Sequence, residues 1–245
     1  MREGRCKMDR YFEWQEKQSY RDFGLIMTGP VHTVSPEEDI EFQTVDGLDG
    51  ELIIEKNRFK NTTKTYSVYI DQENIQESVT NLSNWLKSEK GWHFLTDSEE
   101  PEYVYEAKIY ESYETEQRLK NFGYAEILFV IKPYKFLKTG LSEQVLGQTI
   151  KNPSNRKARP KLIIKGTGNL TVQIGSEKLS LKNVDGGVII DCLYQTATNL
   201  SGTKAAWDKV TSYPLPVIHP GKQTVLTTGA ISEVNIIPRW EVLVG

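Results

Sequence analysis

Hydrophobic and polar positions along this chain recur with a period of two far more often than with a period near 3.6. TYSVYI (65–70) sets Tyr66, Val68 and Ile70 on one face, the pattern of a half-buried strand. IEFQTV (40–45) and ELIIEK (51–56) also read as strands. So do EYVYEAKIYESYE (102–114) and YAEILFVIKPY (124–134), on either side of a polar connection, TEQRLKN. The second of these two is apolar on both sides, which predicts a place deep in a sheet, with Pro133 as its end. One stretch follows the other period. In NIQESVTNLSNWLKSEKG, Ile75, Val79, Leu82 and Leu86 share one face of an amphipathic helix. Asn74 and Glu77 form a capping-box-like start and Gly91 a stop, so a helix is expected over 74–90 with Trp85 beside its apolar stripe.

The texture changes after KNPSNRKARP (151–160), a polar, basic stretch that reads as a linker running into a new domain. KLIIKG, NLTVQIG, EKLSLKN, GVIIDCLYQ, QTVLTTG and VNIIPRWEVLV are short strands separated by Gly-Asn and Asp-Gly-Gly turns. Such spacing without helical periodicity predicts a β-sandwich or jelly roll. The stretch 197–216 is long for a compact domain and is a candidate contact surface. The expectation is therefore a mainly β protein of two domains. Residues 8–140 would carry the helix, residues 141–245 the sandwich, and residues 1–7, ahead of Met8, would be a leader or tag.

Charge reinforces the division. Through Pro133 there are 16 Lys and Arg against 26 Asp and Glu, and from Tyr134 onward 14 against 7. Halves of opposite sign suit head-to-tail contact between copies, and they suit two independently solvated surfaces equally well. Two cysteines, Cys6 and Cys192, make no disulfide framework and suit a reducing cytoplasm. No apolar run approaches the roughly 20 residues of a membrane helix, and the charged N-terminus has no secretory h-region.

Candidate chemistry is sparse. TVDGLDGEL (44–52) invites comparison with a calcium loop, which needs Asp first, Gly sixth and Glu twelfth. With Gly50 sixth, Val45 is first and Lys56 twelfth; with Gly47 sixth, Phe42 is first and Ile53 twelfth. Neither register works, and the strand that follows does not suit a phosphate loop. Two Asp-Gly pairs between apolar runs read instead as a turn. His32, His93 and His219 lack zinc-ligand spacing, and there is no G-x-S-x-G or Walker pattern. No cofactor is called for. Cys192 reads as a core thiol, and the acidic clusters EED (37–39) and SEEPE (98–102) as solvated loops. NRKARPK (155–161) is basic but lacks interleaved aromatics, so it reads as linker and not as a specific nucleic-acid site. A galectin-type sugar site would need His-x-Asn-x-Arg facing a Trp. NPSNR supplies only Asn and Arg, with Trp207 and Trp240 as available aromatics.

The order of segments resembles the distal tail protein family, the tail-tip hubs of siphovirus-type bacteriophages and prophages. FEWQEKQSYRDFGLIM resembles its opening strand and turn, with Phe23 and Gly24 in the Asp-Phe-Gly end. VDGLDGEL resembles its Asp-Gly turn at Asp49 and Gly50, and NWLKSEKGWHFL its Trp-Leu helix end at Trp85 and Leu86. YVYEAKIY and GYAEILFVIKPY resemble its strand pair ending at Pro133 and Tyr134. ARPKLIIKGTGNLTVQIG, VIIDCLYQ and YPLPVIHPGKQTV follow, with Pro220 and Gly221 before a late strand and Trp240 in the closing one. Gln223 departs from the Asn common in the family.

The resemblance implies an N-terminal β-sandwich or split barrel with one α-helix and a C-terminal galectin-like β-sandwich. It implies a hexameric ring at the virion tail tip, made in the bacterial host cytoplasm. Its partners would be the tail tube protein, the tail-associated fibre or lysin, and receptor-binding or baseplate proteins. No catalytic residue is implied. The alternative is a carbohydrate-binding adhesin using the galectin-like half.

Overall fold

The structure is a computed structural model that describes residues 10–71, 75–109, 115–119 and 122–245. The chain is mainly β and divides into two compact units. The first takes residues through Lys135 and takes up the chain again at Leu243–Gly245; the second spans Phe136–Val242.

The first unit is a curled sheet. Its strands run in the order Lys17–Gln18, Phe12–Trp14, His93–Asp97, Tyr103–Lys108, Phe122–Leu137, Thr62–Asp71 and Leu25–Met27. The ladder between Phe122–Leu137 and Thr62–Asp71 is the longest in the unit, running unbroken from Phe122 opposite Asp71 to Ile131 opposite Thr62. Alternation places Tyr66, Val68 and Ile70 inside against Ile127, Phe129 and Ile131. The core centre is aromatic. Phe12 stacks on Tyr66 at 4.7 Å, and Phe129 meets Trp14 edge-on at 5.0 Å and Phe12 at 5.6 Å. Such pairs add about 0.5–1.5 kcal/mol each beyond the area they bury.

The helix spans Ile75–Leu86 and buries Leu82, Trp85 and Leu86, with Val79 packed alongside. It ends short of the expected residue 90. A bond from Ser88 N–H to the Trp85 carbonyl (3.3 Å) tightens the last turn before Gly91 is reached. Asn74, the expected cap, lies outside the described residues. A second, five-residue helix at Ser19–Phe23 was not expected, because the segment is too short to show a period.

Two strand expectations need correction. TEQRL is itself a strand, Thr115–Leu119, whose backbone pairs with the start of Phe122–Leu137. A polar strand is legitimate where tertiary pairing supplies its hydrogen bonds. Pro133 does not end its strand, which continues to Leu137. A proline gives up one donor only, and the Pro133 carbonyl still accepts the Val244 N–H at 3.0 Å.

The second unit is a β-sandwich whose inner faces supply Leu162, Ile164, Val172, Leu179, Ile190 and Ile236, among others. Two strands of unusual length organise it, Lys161–Ile174 and Gly221–Ile237. Each had read as two short strands broken at glycines. The glycines are bulge positions inside continuous strands, and the pairing register shifts between Lys165 and Gly166 and between Thr167 and Thr171. A Cβ on Gly229, where φ is +103°, would sit 2.3 Å from the Asn169 carbonyl. The strands can bend there only because the side chain is absent.

The 151–160 stretch is no linker. Thr149–Asn152 pairs with Gly221–Thr224, and Asn152 is buried with its amide donating to the carbonyls of Arg156 (2.8 Å) and Ile218 (2.9 Å). The long 197–216 stretch is tied down as well, with Ala205 bridging to Thr198 and Val210 to Leu181.

Phe129→Ala should lower unfolding stability by about 3–5 kcal/mol, whereas Leu226→Ala, at an exposed position, should change it by less than about 0.5 kcal/mol. Urea titration followed by intrinsic fluorescence checks both.

Candidate functional site

The most distinctive surface element belongs to the first unit. Among the described residues, Glu38–Thr44 and Glu51–Phe59 pair only with each other, as a two-stranded sheet apart from the curled one. TVDGLDGEL is the turn between them, with Gly47 and Gly50 at φ +82° and +87° and both aspartates exposed. Phe42 lies opposite Ile53 and they are 59% and 58% exposed. Leu52 and Ile54, on the other face, are also exposed, as is Leu48 in the turn. A hairpin with apolar residues on both faces has no inside of its own. Three cross-strand ion pairs hold it toward its base: Lys56 to Glu41, Arg58 to Asp39 at 2.7 Å, and Lys60 to Glu37 at 3.5 Å. Exposed pairs contribute at most about 1 kcal/mol each, and an isolated two-stranded hairpin is marginal in water. The EED cluster thus supplies partners for this hairpin as well as facing solvent.

The residues singled out by resemblance serve mostly as framework. Phe23 stacks on Trp85 at 4.1 Å, and Gly24 closes the short helix in the left-handed region at φ +63°. The Trp85 indole N–H donates to the Trp14 carbonyl at 3.0 Å, and Leu86 is buried beside it. Phe23, Gly24, Trp85 and Leu86 therefore gather around one helix end. Asp49 and Gly50 sit in the hairpin turn, and Pro133 in the long strand of the same unit. In the second unit, Gly221 opens a strand at φ +84° and the Pro220 carbonyl accepts from Gln223 at 3.3 Å. Trp240 is buried against Gly140, where even a methyl group would come within 2.6 Å of the Trp240 backbone nitrogen. Trp240 is thus unavailable to a sugar, while Trp207 stays partly exposed.

Sequence reasoning missed the buried charges. The row that carries Tyr66 and Val68 inward also carries Lys64 inward, to meet Asp97 at 2.7 Å and Glu100 at 3.3 Å. Lys135 completes the group against the other oxygen of Glu100. SEEPE is therefore not wholly a solvated loop, because its Glu100 turns into this cluster. The signal was present in the alternation, where a lysine occupied a core register.

In the second unit Asp191 receives both terminal nitrogens of Arg239, at 2.6 and 2.9 Å, together with the N–H groups of Leu193 and Tyr194. Burial pushes the Asp191 carboxyl up, but the hydrogen bonds from Arg239 and the backbone outweigh it and hold the group below the usual carboxylate range. Arg239 itself sits at φ +55°, a costly conformation for a non-glycine residue. Its ion pair and its N–H bond to the Gly140 carbonyl (2.7 Å) hold it there. Burial pushes the Cys192 thiol up to about 12, as befits a core residue. Among the described residues no group of three or more His, Cys, Asp and Glu could hold a metal ion, and no helix is long and apolar enough to cross a membrane.

A two-unit, mainly β chain with an exposed apolar hairpin and framework motifs is the class defined so far. No protein-family model matches the chain, and no match is found among curated proteins. A solved structure does match: the SPP1 Dit (gp 19.1) protein, described as a paradigm of the hub adsorption apparatus in phages that infect Gram-positive hosts. The likeness has a TM-score of 0.74 over 96% of this chain and 99% of that one, at 13% identity, and is a likeness of fold.

Because the folded Asp191 pKa is depressed, its stabilisation is complete above the unfolded value of about 3.9 and is lost as pH falls through the folded value. Asp191→Asn should flatten this acid limb and cost about 1–3 kcal/mol at neutral pH. Melting temperatures between neutral and strongly acidic pH would show both effects.

Proposed function

We propose that this protein is a structural hub of a bacteriophage tail tip, a ring of identical copies, six in number, at the distal end of the tail tube. In that place it would join the tube protein to the tail-associated fibre or lysin. Its second unit would offer a sandwich surface to receptor-binding or baseplate proteins. The protein would be made in the host cytoplasm and act in the virion, without catalysing a reaction.

The observation that carries this reading is a fold match covering nearly the whole of both chains, so that both units are accounted for together. The hairpin supports it independently. An element apolar on both faces is satisfied when it is flanked on two sides, and head-to-tail contacts between copies can supply such flanking surfaces. The opposite charge balance of the two halves of the sequence gives such contacts a consistent polarity.

Light scattering after size exclusion, with negative-stain images, should show closed rings at high protein concentration. A persistent monomer, even with tail neighbours added, would count heavily against the hub. Phe42→Asp combined with Ile53→Asp should abolish association while leaving the melting temperature of the monomer within a few degrees, because both side chains are already exposed. If opposite charges steer the contacts, raising salt from low to molar concentration should weaken assembly. Assembly indifferent to salt would leave the hub intact and remove the electrostatic part.

A further inference from the structure

Lys64 and Asp97 lie together in the core of the first unit with side-chain exposures of 1% and 0%, Nζ 2.7 Å from Oδ2. Their strands, Thr62–Asp71 and His93–Asp97, are not neighbours in the sheet order, so no ladder joins them. The Tyr105 ring centre lies 4.0 Å from the same Nζ. The two oxygens of Asp97 are held differently. Oδ1 accepts the backbone N–H groups of Glu99 (3.0 Å) and Glu100 (2.9 Å), while Oδ2 accepts the Tyr66 hydroxyl at 2.7 Å. Glu100 Oε2 stands 3.3 Å from Lys64 Nζ.

We propose that Lys64 and Asp97 condense into an intramolecular amide, a covalent cross-link through the core, with Glu100 as the proton carrier. This inference rests on core chemistry alone and stands or falls separately from the tail-hub reading. The reaction begins with one proton passing from Nζ to Oδ2 along their 2.7 Å contact, leaving a neutral amine beside a neutral acid. The amine attacks the Asp97 carboxyl carbon, a C–N bond forms, and negative charge gathers on Oδ1. Two backbone N–H groups already point at that oxygen, an arrangement suited to a tetrahedral intermediate. Glu100 takes the second proton from nitrogen and returns it to Oδ2. The C–Oδ2 bond then breaks and water leaves. The ammonium has given up two protons, both now in the water, and one hydrogen remains on the amide nitrogen. Nothing is oxidised or reduced, and no co-reactant is required.

The surroundings bear on each step. Lys135 and the Tyr105 hydroxyl both bind Glu100, and although burial pushes its carboxyl up they hold it below its ordinary range, ionised and able to accept a proton. Burial also pushes Asp97 up, yet Lys64 and Tyr66 prevail and hold its carboxyl below the ordinary range, so the first proton transfer runs uphill. Against that cost stands proximity: well-oriented intramolecular groups reach effective concentrations of about 10⁵–10⁸ M. Exclusion of water from the core also protects the product from hydrolysis.

Intact-mass spectrometry of the purified full chain decides the matter. The expected mass is that of the sequence less one water, with a branched peptide after proteolysis joining the Lys64 and Asp97 segments. Lys64→Arg keeps the charge but cannot form the amide, and should restore the full mass. Glu100→Gln should leave most molecules unlinked, and Asp97→Asn should reach the same cross-linked mass by losing ammonia. Folded wild-type protein that keeps its full sequence mass after prolonged incubation overturns the proposal. So does a water loss that persists in Lys64→Arg. Should a variant fail to fold, the wild-type mass and the branched peptide still give the answer.

Discussion

A lysine ammonium inside a protein core is the constraint around which the first unit is arranged. Strict alternation along Thr62–Asp71 puts Lys64 in the same inward row as Tyr66, Val68 and Ile70. An unpaired ion moved into a dry interior would face an idealised cost of order 20 kcal/mol. The unit answers by ending the strand His93–Asp97 on an aspartate, and by turning the next residues so that Glu100 comes back to the same place. Lys135 on the long strand then balances Glu100, and the tyrosines at 66 and 105 fill the remaining hydrogen-bonding and ring positions. Replacing one member without another would leave a charge stranded, so these positions depend on one another.

The second unit is governed by a different economy. Its long strands must bend while keeping their hydrogen bonds, and glycine is the device. Gly166 and Gly229 each meet a neighbouring backbone so closely that a Cβ would overlap it. The apolar rows on either side stay in register with the core only because the bulges absorb the change in direction. Asp191 and Arg239 supply the local fixity that a left-handed arginine backbone requires.

Much of this was legible in the residues. The alternation of TYSVYI, the helical stripe of Leu82 and Leu86, and the turn chemistry of TVDGLDGEL all follow from local rules, and the structure keeps them. What was not legible depended on partners remote in sequence. TEQRL carries no apolar signal and is a strand only through pairing with residues 122–125. Gly166 and Gly229 looked like chain breaks because a bulge and a turn share the same residue preferences. Trp240 could have faced a sugar or a core, and only the close approach of Gly140 settles that it is interior. The exposure of Phe42 and Ile53 was hidden for the opposite reason. Their alternation is that of a buried strand, and sequence does not say whether the covering surface belongs to the same molecule.

The division of the chain also has a bearing on the order of synthesis. Val244 is buried in the first unit's core and bonds to Pro133, yet more than one hundred residues of the second unit come between them in the chain. In the order of synthesis, the first unit's core waits across that whole span for one of its buried side chains. The first unit is therefore completed last, although it begins first. Val244 is a buried member of that core, so a chain ended before it would carry a defect inside its first unit.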